Sequence, residues 1–345
     1  QALAAIDPMK RTAAIMLLTG VALFTAVLAW QGLSAITQAL AAAGWGLAAV
    51  TAWHLVPLVI DSYAWWILFR RPRPGMIRIV WARWIGESIN YLLPVAQIGG
   101  DIVKARLLIK HGLKAAETGA TVVVDLTLSA LTQMLFGVLG LVLLLILIDR
   151  PAVAWGAALG IGVMLVMLAF FYKLQRGGLF GALAGLVKRI GGGREWLDFV
   201  GGAQSLDAAI DALYARPWTV VCAFVWRWIG WVAGVGEVWL GLYFLGHPVG
   251  LADAVMLEAL GQAIRGAAFF IPGALGVQEG GFMLLAGLIG LDAHTGLALS
   301  LVKRVRELAL GVPGLVAWQW AEGRLVARAR RRSRPGPEIH RPTDT

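Results

Sequence analysis

The chain has 345 residues, of which 59% are hydrophobic and 14% are charged, and its 30 Lys and Arg outnumber its 20 Asp and Glu to give a net charge of +10. Soluble domains are about 25% charged, so this composition excludes an ordinary water-soluble enzyme. The apolar and aromatic content also excludes a disordered chain. A single cysteine excludes an internal disulfide framework. The class that remains is a membrane protein with several spanning helices.

Long apolar runs predict the transmembrane segments. Residues 1–8, before Met9, are interpreted as an expression-vector remnant. Full spans are expected at 13–31, 44–69, 118–148, 152–174, 217–245 and 295–320, because each has about the 20 residues needed to cross the hydrocarbon core. We expect the segment 175–216 to be a cytoplasmic loop with amphipathic surface helices. The basic segment 321–345 is expected to be a disordered cytoplasmic tail.

Two further apolar stretches, 80–112 and 252–290, are each interrupted by a proline followed by glycines. The residues at these interruptions are Pro94, Gly99 and Gly100 in the first stretch, and Pro272, Gly273 and Gly276 in the second. Proline removes a helical hydrogen bond and glycine accepts positive φ, so each stretch is predicted to form two short helices joined by a bend. Such a pair enters and leaves the membrane by the same face, as a re-entrant hairpin.

The basic residues give the chain an orientation. If both termini are cytoplasmic, most of the 30 Lys and Arg, including Arg83, lie on the cytoplasmic side only when the first hairpin enters from the cytoplasm and the second from outside. The order span, span, hairpin, span then occurs in 9–148 and, inverted, in 149–320. The predicted fold is an all-α polytopic membrane protein with about six full transmembrane helices and two re-entrant hairpins in inverted-topology repeats. The positive charge is assigned to topology and anionic headgroups, and no nucleic-acid partner is expected.

Polar and ionisable side chains at membrane depth are the candidate functional residues, because they are costly there unless paired or hydrated. The candidate substrate-binding residues are Glu87, Asn90, Asp101, Lys104 and Arg106 in the first hairpin, Glu258, Gln262, Arg265, Gln278 and Glu279 in the second, and Lys303, Arg304, Arg306 and Glu307 in the last span. Asp125, Arg227 and Glu237 are further single charges. Two interpretations stay open: structural salt bridges between broken helices, or a polar cavity whose cations hold a lipid phosphate.

Catalytic, metal and cofactor sites are not expected. The five histidines show no metal-ligand spacing. The chain also has no nucleophile with a neighbouring base and no phosphate-binding loop motif.

Three sequence runs carry a family resemblance: ESINYLLPVAQIGGDIVKARLL (87–108), FIPGALGVQEGGF (270–282) and VKRVRELALGVPG (302–314). Over residues 10–320 the chain resembles the flippase-like transmembrane domain family that includes the membrane domain of lysylphosphatidylglycerol synthase, and looks most similar to its hopanoid-biosynthesis-associated branch. The resemblance implies lipid translocation or handling in a bacterial inner membrane. The implied cargoes are a hopanoid, an anionic or aminoacylated phospholipid, or a polyprenyl-linked lipid. Because no aminoacyl-transferase domain follows residue 320, lipid aminoacylation is not expected.

Three functions are therefore considered. A flippase would move a lipid headgroup between the two hairpins, and this non-enzymatic function is the one expected. An intramembrane enzyme would use Asp101 and Glu279 as general acid and base on a headgroup. A scaffold would recruit lipid-biosynthesis enzymes through basic loops, although it has no need of buried charge at both bends. The partners considered are membrane lipids, such enzymes and a further copy of the chain in a homo-oligomer.

Overall fold

The computed structural model describes residues 41, 43–93, 99–148, 151–176, 203–268 and 271–332, and every regular element in these ranges is helical. The helices are α1 (Gly46–Trp53), α2 (Leu55–Leu68), α3 (Met76–Leu92), α4 (Gly99–Lys110), α5 (Ala115–Leu147), α6 (Pro151–Arg176), α7 (Ala203–Tyr214), α8 (Pro217–Phe244), α9 (Leu251–Ala267), α10 (Val277–Leu288) and α11 (Ala293–Arg332). The span predicted at 13–31 lies outside the described residues.

Several helices have the length and composition of membrane spans. Within the described ranges these are Gly46–Leu68, which joins α1 and α2, together with α5 and α8. The predicted spans 118–148, 152–174 and 217–245 correspond closely to α5, α6 and α8. The chain is therefore an all-helical, multi-pass membrane protein.

The first interrupted stretch forms the packed helix pair α3 and α4. Their backbones approach closely at two glycines: a Cβ added to Gly100 would lie 1.9 Å from the carbonyl oxygen of Gly86. Gly99 and Gly100 are the first two residues of α4, so Gly100 permits the helix contact instead of forming the bend. Pro94, the other predicted bend residue, lies outside the described residues.

The second interrupted stretch forms the pair α9 and α10, joined through a 3-10 turn at Pro272–Ala274. Gly273 and Gly276 have φ values of 60° and 77°, which residues with a Cβ rarely adopt. The Glu279 carboxylate then accepts a hydrogen bond from the Gly276 backbone N–H at 2.7 Å. These positive φ values lie in the segment where a change of chain direction is predicted.

The packing between the two halves is reciprocal. α3, from the first interrupted stretch, packs on α11, the last helix of the second half, while α9 packs on α5, the last helix of the first half. α2 and α8 pack on each other. Buried apolar side chains from α5, α8, α9 and α10 form the largest core, which includes Phe136, Val238, Leu257 and Phe282.

Two peripheral segments test the predictions for the loop and tail. α7 is amphipathic: Leu206 and Ile210, one turn apart, are buried against Ala120 of α5. In the segment predicted as a disordered tail, α11 continues as far as Arg332. Residues 321–332 are rich in Ala and Arg, which favour helix, and an existing helix needs no new nucleus to extend.

Candidate functional site

A polar cavity of about 310 Å³ lies among the membrane helices. Side chains from α2, α3, α4, α5, α8, α9 and α11 line it, together with His54 at the junction of α1 and α2. The polar and charged lining residues are His54, Asp61, Arg83, Glu87, Asn90, Tyr91, Asp101, Lys104, Asp125, Ser129, Gln133, Arg227, Glu237, Glu258, Gln262, Arg265 and Arg306. So dense a set of charges inside a membrane protein indicates a site that accommodates water or a polar ligand.

Asp125 on α5 is the centre of one charge cluster. Its Oδ2 accepts hydrogen bonds from Arg83 Nη2 at 2.7 Å and from Lys104 Nζ at 2.9 Å, while its Oδ1 accepts from Arg227 Nη2. Arg227 Nη1 also lies 2.9 Å from Asp61 Oδ2. We call these five residues the Asp125 cluster. Since they come from α2, α3, α4, α5 and α8, the cluster ties the first hairpin to its neighbouring helices.

Asn90 connects the two helices of the first hairpin. Its Oδ1 accepts a hydrogen bond from the backbone N–H of Gly100 at 2.8 Å, so it satisfies an amide at the start of α4. Its Nδ2 donates to Asp101 Oδ2 at 3.3 Å, and Asp101 Oδ1 lies 2.5 Å from Lys104 Nζ. The hairpin residues are therefore held in place by both hydrogen bonds and an ion pair.

Glu237 on α8 is the centre of a second charge cluster. Its Oε1 is hydrogen-bonded to His54 Nδ1, and its Oε2 lies 3.1 Å from Arg306 Nη2 and 3.9 Å from Lys303 Nζ. Lys303 donates in turn to Glu258 Oε2 at 2.6 Å. We call these five residues the Glu237 cluster. It joins α8, α9 and α11 at the cavity.

A third set of pairs fastens the second hairpin to α11. Arg265 Nη1 donates to Gln278 Oε1 at 2.9 Å and to Glu307 Oε1. Arg304 donates to Glu307 Oε2 at 3.0 Å and to Glu279 Oε1 at 2.9 Å. Both oxygens of each carboxylate are engaged, since Glu279 also caps α10. This set has the geometry of structural salt bridges.

Arg306 has more unpaired donors than these residues. Its side chain is buried and lines the cavity, yet its Nε and Nη1 have no hydrogen-bond partner within the described residues. The Tyr91 ring lies 5.4 Å from its guanidinium carbon. Asp61 Oδ1 similarly lacks a partner in that part of the chain. Buried donors and acceptors are normally satisfied, so these unpaired atoms of cavity-lining residues are candidate contacts for an anion and for a cation.

A family model described as the lysylphosphatidylglycerol synthase TM region matches residues 17–314. The chain belongs to this family. The match is to the family as a whole and does not distinguish a hopanoid-associated branch. No curated protein and no solved structure matches the chain.

The candidate residues predicted from the sequence fall into two groups, those that line the cavity and those that do not. Those that line the cavity are Glu87, Asn90, Asp101, Lys104, Glu258, Gln262, Arg265 and Arg306. Those that do not line it are Arg106, Gln278, Glu279, Lys303, Arg304 and Glu307. Arg106 pairs with a residue outside the charge clusters: its Nε lies 3.5 Å from Glu322 Oε1. The others either bond to a residue that lines the cavity or connect α10 to α11.

The cavity residues that sequence reasoning missed include His54, Asp61 and Arg83. Arg83 was assigned to the cytoplasmic side, whereas the structure buries it in the Asp125 cluster. The positive-inside rule counts residues near helix ends and cannot detect a carboxylate on another helix, so it gave no sign of this partner. His54 and Asp61 are two helical turns apart, so they share a helix face, and this spacing was the available signal.

Proposed function

We propose that the protein translocates a lipid across the membrane, with the headgroup passing through the polar cavity. The cavity itself is the observation that carries this proposal: about 310 Å³ of space, lined by charges of both signs, among membrane helices. A structural ion-pair network alone needs no such space, because well-aligned partners and hydrogen bonds, and not open volume, offset the cost of burying its charges.

The lining favours a charged headgroup as cargo. The Nε and Nη1 of Arg306 have no protein partner and supply two separate N–H donors for a phosphate, and the unpaired Asp61 Oδ1 suits an amine. A rigid apolar ring system would leave these groups unsatisfied, so the hopanoid is the less favoured of the cargoes considered. A headgroup with one phosphate and excess amine, as in lysylphosphatidylglycerol, complements both.

The helix pairs supply the two gates of this transport scheme. We infer that α3–α4 and α9–α10 are re-entrant hairpins within inverted-topology repeats. The reciprocal packing of α3 on α11 and of α9 on α5 supports a two-fold relationship between the halves. Inverted repeats place a binding site at their interface, where broken helices meet, and exchange of their conformations gives alternating access. About six full spans, cytoplasmic termini and a bacterial inner-membrane location complete this proposal.

An intramembrane enzyme is supported less well by the geometry. Its proposed acid and base would have to approach one substrate atom, yet Asp101 lines the cavity whereas Glu279 does not. Both Glu279 oxygens are engaged, by the Gly276 N–H and by Arg304. A chemically altered lipid in the mass spectrum after incubation with the protein would favour the enzyme over the transporter.

Translocation is testable in liposomes that contain the purified protein and acyl-labelled lysylphosphatidylglycerol. We expect labelled lipid to reach the opposite leaflet faster than in protein-free vesicles. Loss of hydrogen bonds to a charged group costs about 1.5–3 kcal/mol, so Arg306→Gln should slow translocation roughly 10- to 100-fold. Arg106→Gln, outside the cavity, is the matched control and should have little effect.

Two results would contradict the proposal. One is wild-type protein that moves no more lipid than empty vesicles. The other is an Arg306→Gln variant that is folded, as judged by its thermal melting, and transports as fast as Arg106→Gln.

A further inference from the structure

The charges that line the cavity do not balance when histidine is neutral. Among the described lining residues the carboxylates are Asp61, Glu87, Asp101, Asp125, Glu237 and Glu258. The permanent cations there are Arg83, Lys104, Arg227, Arg265 and Arg306. The carboxylates therefore exceed the cations by one. The charged residues just behind the lining, Lys303 and Arg304 with Glu279 and Glu307, cancel and leave this excess unchanged.

The excess negative charge is weakly compensated at Glu87. Its nearest cationic atom is Arg83 Nη1 at 3.7 Å, a much longer separation than the pairs around Asp125. Its other neighbour is His54 Nε2 at 3.8 Å. An uncompensated carboxylate at membrane depth is costly, so a cation or a proton is favoured there.

His54 stands between the carboxylates of two helices. Its Nδ1 is hydrogen-bonded to Glu237 Oε1 on α8, and its Nε2 faces Glu87 Oε2 on α3. Donation from Nδ1 to Glu237 leaves Nε2 as the nitrogen that gains or loses a proton. From α11, Arg306 pairs with the same Glu237 carboxylate, and its positive charge opposes a charge on the His54 ring. Two carboxylates against one guanidinium make this position suited to a proton.

We propose that His54 is a proton-binding site whose proton exchanges with the cationic part of the lipid headgroup. This inference rests on the proposed function and names its coupling ion. With His54 protonated, the lining charges balance; with His54 neutral, the lining carries one negative charge that a headgroup of net charge +1 balances. Occupation by both at once leaves a surplus positive charge in the membrane.

The exchange has a defined charge balance. As the headgroup enters, the proton leaves His54 Nε2 for water in the cavity and no other bond changes. One positive charge moves each way across the membrane, so transport is electroneutral. It therefore responds to a pH gradient and not to the membrane potential.

Binding measurements test the proton site directly. Calorimetry of lysylphosphatidylglycerol binding to the detergent-solubilised protein, in two buffers of different ionisation enthalpy, gives the protons released per lipid. At the pH where His54 is half protonated, wild type should release about half a proton per lipid. His54→Gln should release none. His111→Gln should behave as wild type, since His111 does not line the cavity and its Nδ1 is bonded to the Leu107 carbonyl oxygen.

Vesicle measurements test the coupling. A gradient of one pH unit should shift the final leaflet ratio of the labelled lipid about tenfold through wild-type protein, while a potassium-diffusion potential should not change it. The shift should be absent in His54→Gln and present in His111→Gln. If wild type moves the lipid without any response to pH, or His54→Gln responds as wild type does, the inference is overturned and the proposed function stands.

A second variant keeps the test valid if His54→Gln does not fold. Glu87→Gln removes the excess carboxylate at a residue without a close ion pair, and should abolish proton release and weaken lipid binding. Proton release from this variant equal to that of wild type would overturn the inference. If wild-type protein moves no lipid, the proposed function fails, and proton release on binding still decides whether His54 is a proton site.

Discussion

The Asp125→Asn substitution tests whether the Asp125 cluster holds the membrane helices together. Asp125 is 3% exposed and accepts hydrogen bonds from Arg83, Lys104 and Arg227. Asparagine keeps the size of the side chain but removes its charge, which leaves these buried cations with only Asp61, Asp101 and Glu87 as counter-charges. The substitution therefore isolates the electrostatic role of one carboxylate.

The expected loss of stability follows from the burial of the cluster. Removal of one partner from a buried ion pair costs about 3–5 kcal/mol, because the remaining charge has lost its solvation and its counter-ion. At roughly 2–4 °C per kcal/mol for a domain of 150–250 residues, a loss of about 4 kcal/mol lowers the melting temperature by about 8–16 °C. Tryptophan fluorescence of the detergent-solubilised protein during heating gives this temperature.

Glu322→Gln is the matched control. Glu322 also pairs with two basic residues, Lys110 at 3.1 Å and Arg106 at 3.5 Å, but these groups are partly exposed to solvent. Exposed pairs contribute about 0–1 kcal/mol, so this control should melt close to wild type. A melting temperature for Asp125→Asn equal to that of Glu322→Gln would refute the reasoning. The double variant Asp125→Asn/Arg227→Gln should lose less stability than the sum of its single variants, because the second substitution removes a charge that has already lost one of its two counter-ions.

Two further predictions concern local structure. Gly100→Ala places a Cβ against the Gly86 backbone and should destabilise the protein by about 3 kcal/mol, whereas Gly280→Ala has nothing within 4 Å and should not; equal melting temperatures would contradict this. Between α10 and α11, the Thr295 N–H donates to Asp292 Oδ1 at 2.6 Å and lowers the pKa of this exposed carboxyl. The stabilisation that this hydrogen bond gives is therefore present above the unfolded pKa of about 3.9, and it is lost as pH falls through the lower pKa of Asp292 in the folded protein. Hydrogen-exchange protection at Thr295 should fall with pH in that window in wild type but not in Asp292→Ala.

The sequence predicts helices better than it predicts contacts between them. The apolar run 118–148 gives α5 almost to the residue, since length and hydropathy decide whether a segment spans a membrane. The bend at Gly273 and Gly276 could likewise be predicted locally, because glycine accepts the positive φ that both residues have. Gly100, in contrast, was interpreted as a bend residue, because nothing local indicates that its surface faces the Gly86 backbone.

The cavity was only partly predictable for the same reason. Deep charges such as Asp101 and Glu258 are visible as polar residues within apolar runs. The partners of Asp125 are not visible, because Arg83, Lys104 and Arg227 come from three other helices and meet only after the helices pack. His54 and Asp61 were missed because each is a single polar residue within a long apolar segment.

The two interpretations of the buried charges apply to different residues. Glu307 and Glu258 have both carboxylate oxygens bonded to protein donors, so they satisfy buried groups and leave nothing for a ligand. Arg306 lines the cavity and has two donors without a protein partner, Nε and Nη1, although it also pairs with Glu237. The number of unpaired polar atoms, and not the depth of the charge along the sequence, is therefore the basis for assigning Arg306 to ligand binding. This criterion explains why substitution of Asp125 should mainly affect stability, whereas substitution of Arg306 should mainly affect transport.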